Sequence, residues 1–466
     1  MLWLPPFHNS CNLFTQKTTK MPNTISFNDN YPVITESDKL YARAVAVMTP
    51  VTQTLAKGPG QYIKGVAPKY LKRGKDAHVW DVDGNEYIDY NMGIGPLSLG
   101  YCYPRVDAAI AEQLKDGITF SMMHELEVTL AELVHRIIPN AEALRISKTG
   151  ADVTSAAVRV ARAFTGRKKV LCCGYHGWHD WHIAVTSRNS GIPEEIASLT
   201  ATFDYNDIES VKQAIDEDTA CVILEPFVFA APKDNFLQEL REVCDANGAL
   251  LIFDEMWTGF RIAIGGAQEY FNVKADLACY SKAFANGMPI SLLTGRKEIM
   301  QLFNEEVFFF TTFGGEALSL AAAVATINEM IEKNVPAVLA QKGKLLREGY
   351  NRIAEETGVQ QYTRCIGYDC RSMVVFDAAG QDGLKVKSFV QQELFKRGIL
   401  WSGFHNMCFT HTDADIEHTL AVYREVLPLL KQAVDNDQVD SLLKGTPVEA
   451  VFRKVSNFNT KPVVKA

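Results

Sequence analysis

No stretch of the 466 residues is apolar over the ~18–20 positions needed to span a bilayer, and no basic block interrupts the chain. Lysine and arginine are scattered, and 47 of them against 55 acidic residues leave a formal charge of -8. That balance argues against nucleic acid and anionic membranes as partners. Internal repeats and low-complexity tracts are missing too, which sets aside solenoids and disordered scaffolds. The ten cysteines lack the repeated short spacings of a metal site. Most stand inside apolar runs such as Val170 to Cys173 and Ala220 to Ile223, and read as buried thiols of a reducing, cytoplasmic compartment. The opening MLWLPPFHNSCNLF is apolar, but it is broken by two prolines and has neither a basic lead nor a small-residue cleavage site, so it does not read as a signal peptide. Met21 offers an alternative start, and residues 1–35 are expected to form a disordered extension.

What is present is the composition of a globular enzyme, 47% hydrophobic, able to bury one large core or two unequal ones. His78 to Tyr90 alternates apolar and polar residues around Asp83-Gly84, a hairpin signal. Helical periodicity runs from about Arg105 to Ile138. The central region then alternates: helix over Asp152 to Thr165, strand over Lys169 to Cys173, helix over Asp207 to Ile215, strand over Thr219 to Leu224, helix over Phe236 to Ala246, strand over Ala249 to Phe253. Uninterrupted apolar strands between helices indicate a parallel sheet covered on both faces, hence an α/β fold. Long helices are expected over Glu316 to Lys333 and Pro336 to Glu356. Beyond them the spacing predicts strands over Ser372 to Phe376 and Gly398 to Trp401, and helices over Leu384 to Arg397 and Thr412 to Val434. This division suggests a large domain over 96–335 and a smaller α+β domain made of 36–95 and 336–445, with 446–466 as a tail.

Polar residues gather where strands end, the place where open α/β sheets bind ligands. Lys282 follows the apolar run Leu277 to Tyr280 and precedes Ala283-Phe-Ala-Asn-Gly287, small residues that let a bulky ligand approach. A lysine that forms a Schiff base needs burial and nearby charges to lose its proton near neutral pH; taken alone, a lysine at a strand end is more often a surface residue. The run Leu250 to Phe253 delivers Asp254 and Glu255 into a loop. A carboxylate such as Asp254 against a pyridine nitrogen keeps that nitrogen protonated, although two acids there also suit simple capping. Thr149-Gly150 stands at the mouth of the Asp152 helix, where backbone donors suit a phosphate, and equally suits plain N-capping. Gly174-Tyr-His-Gly-Trp-His-Asp-Trp-His182 follows a strand and offers a ring to a flat ligand. Its histidines have no accompanying acidic or cysteine set, so no metal is expected.

The run FDEMWTGFR to ADL, followed by YSKAFANGMP, resembles the cofactor segment of class III (subgroup II) aminotransferases, including the glutamate-1-semialdehyde aminomutases. VWDVDGNEYIDY, GIGPLSLGY, the YHG turn, Glu225-Pro226 and Thr311-Thr-Phe-Gly-Gly-Glu extend the resemblance over about Lys57 to Val434. It implies pyridoxal 5′-phosphate as cofactor, pyridoxamine 5′-phosphate in its amino form, and the fold-type I architecture: a large, mostly parallel seven-stranded sheet domain with a smaller α+β domain. By the same resemblance Lys282 would bond the cofactor and shuttle the proton, and Asp254 would hold the ring nitrogen. Tyr175 would stack on the ring with His176 beside it, and Thr149, Gly150 and Ala151 would line the phosphate cradle. Glu225 would lie near the reacting atoms, and Thr312 would serve the phosphate of a neighbouring subunit, making the enzyme a homodimer.

Two departures bear on substrate. Ala151 stands where the family carries a hydroxyl, and Gln61 aligns with the arginine that takes the aminomutase substrate's carboxylate; a neutral amide cannot replace that bidentate charge pairing. The loop Phe227-Val-Phe229 is shorter and more apolar than the aminomutase's, whereas Ser190-Gly-Ile-Pro193 matches its mobile lid. The expected activity is amino-group transfer on an amine or carbonyl substrate lacking the usual carboxylate anchor. The alternatives are a glutamate-1-semialdehyde 2,1-aminomutase, or an idle homologue acting as a binding partner.

Overall fold

The computed structural model describes residues 30–227, 230–377 and 380–449. Among the described residues, fourteen strands form three sheets. The first is β1 (Leu71–Lys75), β2 (His78–Asp81) and β3 (Glu86–Asp89), the hairpin expected around Asp83-Gly84. The large sheet contains β4 (Ala143–Ser147), β5 (Lys169–Cys173), β6 (Thr200–Thr202), β7 (Thr219–Leu224), β8 (Leu250–Asp254), β9 (Leu277–Tyr280) and β10 (Ser291–Gly295), in the order β4-β10-β9-β8-β7-β5-β6. The last sheet comprises β11 (Thr363–Tyr368), β12 (Arg371–Phe376) and β14 (Phe404–Asn406), while β13 (Ile399–Leu400) leaves it to pair with β3 in parallel.

Strands β9, β8, β7, β5 and β6 run parallel, and β10 runs antiparallel to both β9 and β4. Such strands need both faces covered, and their residues show it: every residue of β7, β8 and β9 is buried. The Gly150–Thr165 helix covers one face through Val153, Ala156, Ala157 and Val160, packed on Cys172, Cys221, Ile223 and Leu293. Thr149 caps that helix in a box with Asp152, and Gly166 ends it in the left-handed conformation that glycine adopts without penalty. On the other face the Ala317–Glu332 helix and its neighbours join the larger core cluster.

Several expectations shift. The periodic run from Arg105 to Ile138 is two helices, Pro104–Asp116 and Glu125–Ile137, separated at Gly117, whose positive φ stops the first. Strands β4, β6, β10, β11 and β14 had no clear signal. Among the expected extension, Tyr31 is placed, its hydroxyl donating to Glu393 at 2.7 Å. The proposed start at Met21 lies outside the described residues. Cys102 is exposed, unlike the other described cysteines, all of them buried free thiols. Among the described residues no helix is long and apolar enough to cross a membrane.

Candidate active site

The carboxyl ends of β4, β5, β7, β8 and β9 lead into the residues singled out above. After β4 come Lys148, Thr149 and the helix start at Gly150; after β5 comes Gly174-Tyr-His-Gly177. Glu225 follows β7, Asp254 ends β8, and Lys282 follows β9 by two residues. Residues far apart in sequence are thus gathered by topology alone.

Lys282 opens a short 3₁₀ turn with φ of 54°. Its Nζ lies 4.2 Å from the centroid of the Trp257 ring. Burial pushes its pKa from 10.5 down to about 8, with Arg371 and Arg261 adding to the fall, while Glu225 and Asp254 oppose it. Asp254 is 1% exposed. Its Oδ2 lies 2.8 Å from His176 Nδ1, and its Oδ1 accepts from the Met256 amide at 3.1 Å. His176 Nε2 sits 3.1 Å from the Cys173 carbonyl. A carbonyl only accepts, so Nε2 donates in that contact and Nδ1 faces the carboxylate. His176 therefore stands behind Asp254 as its brace. Glu225 is buried, and that burial raises its pKa with Asp254 adding to it; His176, the Tyr175 amide and Lys282 pull the other way.

Glu255, delivered by the same strand, turns back instead. Its carboxylate accepts from the amides of Ala267 and Gln268 at 2.9 and 3.1 Å and from the Thr258 hydroxyl, capping the Gly266–Phe271 helix. Adjacent acids thus serve different ends.

At the phosphate-type cradle the Thr149 hydroxyl accepts from the Asp152 amide at 3.3 Å. A Cβ at Gly150 would meet Met256 Sδ at 3.0 Å, so the helix start presses against the loop after Asp254. Gly177, at φ of 106°, packs its backbone on Ala151, and a Cβ there would stand 2.7 Å from the Ala151 Cβ. The small residue at 151 is what lets the YHG turn close on the cradle. Tyr175 is 47% exposed at the rim, edge-on to His182. A lysine of lowered pKa, a braced carboxylate, a helix start and a rim tyrosine fit a flat ring bearing an aldehyde, a basic nitrogen and a phosphate.

Thr312 is exposed, on the 311–316 loop. Gln61 ends the Pro59–Gln61 turn, its carbonyl accepting from Gln391 at 3.2 Å. Its neighbours Pro59 and Tyr62 line a cavity of about 460 Å³ that extends to Asn91, Leu97 and Gly287. Val228 and Phe229, of the apolar loop, lie outside the described residues. Sequence reasoning missed Trp257 and Arg371. Trp257 lay inside the quoted motif without a role; Arg371 is one arginine in a distant strand, with no local signal.

A family model described as aminotransferase class III matches residues 64–416. The 3-aminobutyryl-CoA aminotransferase of Cloacimonas acidaminovorans is 34% identical over 388 residues, 80% of this chain and 92% of that protein. The glutamate-1-semialdehyde 2,1-aminomutase of Acetivibrio thermocellus is 35% identical over 416 residues, covering 83% and 96%. Among solved structures, the FumI protein of Sphingopyxis sp. MTA144, in its PLP internal aldimine form, superposes with a TM-score of 0.80 at 29% identity, covering 86% of this chain and 97% of that one.

Proposed function

The chain belongs to the class III aminotransferases, and on that premise we propose that its site moves an amino group between an amine and a carbonyl compound without the usual arginine at the position of Gln61. It is a pyridoxal 5′-phosphate enzyme of fold type I. When bound, that cofactor supplies a carbonyl to carry the amino group and a protonated ring to accept charge from the substrate carbon.

The remaining work falls to the protein. Lys282 would hold the aldehyde carbon, and its Nζ is the base that takes and returns the substrate proton; a pKa near 8 leaves a useful unprotonated fraction at neutral pH. Asp254, fixed by His176, would hold the proton at the ring nitrogen. The Thr149 hydroxyl and the amides of Gly150 and Ala151 would receive the phosphate, and Tyr175 would cover the ring. Glu225 would sit against the reacting centre. The observation that carries the reading is Lys282 with its lowered pKa beside the braced Asp254, at the carboxyl ends of neighbouring strands.

The reading extends to a homodimer in which Thr312 serves the neighbouring subunit's site. Exposed Met122, Met123 and Phe308, at 81, 85 and 72%, support it: they belong to two segments, 117–124 and 308–316, joined by the Ala317 amide donating to the Ile118 carbonyl. The pairing of β13 with β3 supports reading 36–95 and 336–445 as one smaller domain. The buried thiols support a cytoplasmic location.

The test is turnover of the holoenzyme with alanine, glutamate or glutamate-1-semialdehyde. A simple donor should yield its oxo acid and leave the cofactor in the amino form. Response to the semialdehyde alone, with 5-aminolevulinate as product, would move the assignment to the aminomutase; silence toward every donor would favour the idle homologue.

A further inference from the structure

We propose that Trp257 is the positioning residue of Lys282: the face of its indole receives the lysine nitrogen as that nitrogen takes up the substrate proton, and three distant segments of the chain hold the indole there. The inference rests on the aminotransferase reading above and assigns a task to a further side chain of that same site.

Trp257 stands three residues beyond Asp254, in the loop that follows β8. The Lys282 Nζ lies 4.2 Å from the centroid of its ring. The nearby acids have other contacts: Asp254 lies against His176 and accepts from the Met256 amide, and Glu225 accepts from the Tyr175 amide at 3.1 Å. The face of an indole carries the negative part of its quadrupole, so it attracts an ammonium far more than a neutral amine. The contact therefore strengthens as Nζ gains its proton. An interaction that grows during the transfer speeds the transfer, whereas one of constant strength only tightens binding.

The ring has little freedom to leave. A Cβ at Gly95 would stand 2.2 Å from Trp257 Cζ3, so the backbone of residue 95 lies directly against the indole, at a φ of 95° that suits glycine. The guanidinium carbon of Arg371, the first residue of β12, lies 3.5 Å from the ring centroid, and that of Arg261 lies 5.8 Å away. Arg261 in turn donates to the carbonyls of Gly95 and Met407. Burial first, and then these two cations, push the Lys282 pKa down to about 8 against the pull of Glu225 and Asp254. The indole works on the side of the two acids, because it favours the charged form of the lysine.

The experiment compares wild-type holoenzyme with Trp257→Leu and Trp257→Phe; Trp257→Met, which also removes the ring, covers the case in which the leucine variant does not fold. The pH titration of the visible absorbance follows the proton on the lysine-bonded nitrogen. Its midpoint should fall by about 1 pH unit when the ring is removed, the size of a cation–π contact away from bulk water, and by clearly less in Trp257→Phe. With a donor that wild type turns over, kcat should drop ~5–30-fold in the ringless variants while KM stays nearly constant, and Trp257→Phe should recover most of the loss. An unmoved midpoint without the ring, a loss confined to KM, or a phenylalanine variant as impaired as the leucine one overturns the proposal. A wild-type holoenzyme that turns over no donor fails the aminotransferase reading itself, and the absorbance titration, which needs no turnover, tells the two failures apart.

Discussion

Lys282 is half-buried between carboxylates and arginines, and the balance among them has a consequence for stability. Its pKa is about 8 in the folded protein against 10.5 for an ordinary lysine. Between those values the unfolded chain binds more protons, so this group's contribution to stability rises with pH across that window and is flat below it. The cofactor-free protein should therefore gain stability from about pH 8 to 10.5 relative to Lys282→Met, measured by urea unfolding at each pH; a constant difference over the range would show that the lysine is not buried as described. At this scale the site was partly legible. Lys282, Asp254 and Tyr175 stand at or just after apolar runs, and a strand end is a local signal; Thr149 and Gly150 were marked instead by a hydroxyl and a glycine before a helix. His176 was visible only as part of the YHG turn, and its task was not, because its partner Asp254 is far along the chain. Arg371 left no trace, since nothing in Cys370-Arg-Ser372 distinguishes an arginine at a site from one on a surface.

Elements were legible where burial writes a continuous pattern. The strands β5, β7 and β8 and the helices Gly150–Thr165, Val335–Thr357 and Asp413–Asp435 match the sequence expectation to within a residue or two. Those that escaped are short or mixed. β4, Ala-Leu-Arg-Ile-Ser, is mostly half-buried at the sheet's edge, and its alternation is weak. β10 is fully buried, but Ser-Leu-Leu-Thr-Gly holds only two large apolar residues, and so short a run does not say which way a strand runs. Its antiparallel placement between β4 and β9 comes from packing, and it brings Ser291 rather than Gly295 beside the site end of the sheet. The β13 strand was expected, yet its pairing with β3 joins segments whose hydrogen-bonded residues are separated by most of the chain; local periodicity carries no information about such a partner.

For the whole molecule, the exposed apolar residues of 117–124 and 308–316 form a surface that a lone soluble chain rarely keeps. A two-fold assembly would bury it and bring the exposed Thr312 to a second site. Phe310→Glu, a charge placed at a 57% exposed ring, should convert dimer to monomer in light scattering after gel filtration, and should weaken cofactor retention as Thr312 is withdrawn. A variant that stays dimeric with full retention would argue for an interface elsewhere. The proposed site turns on one bond, that between Lys282 and the cofactor, and the visible absorbance of the reconstituted protein would report it. Wild-type protein should show the band of a lysine-bonded pyridoxal 5′-phosphate that survives gel filtration, and borohydride reduction should fix the cofactor to the peptide containing Lys282. Lys282→Ala should bind the cofactor without that bond and turn over no donor. A reduced adduct on another lysine, or turnover by the alanine variant, would contradict the account.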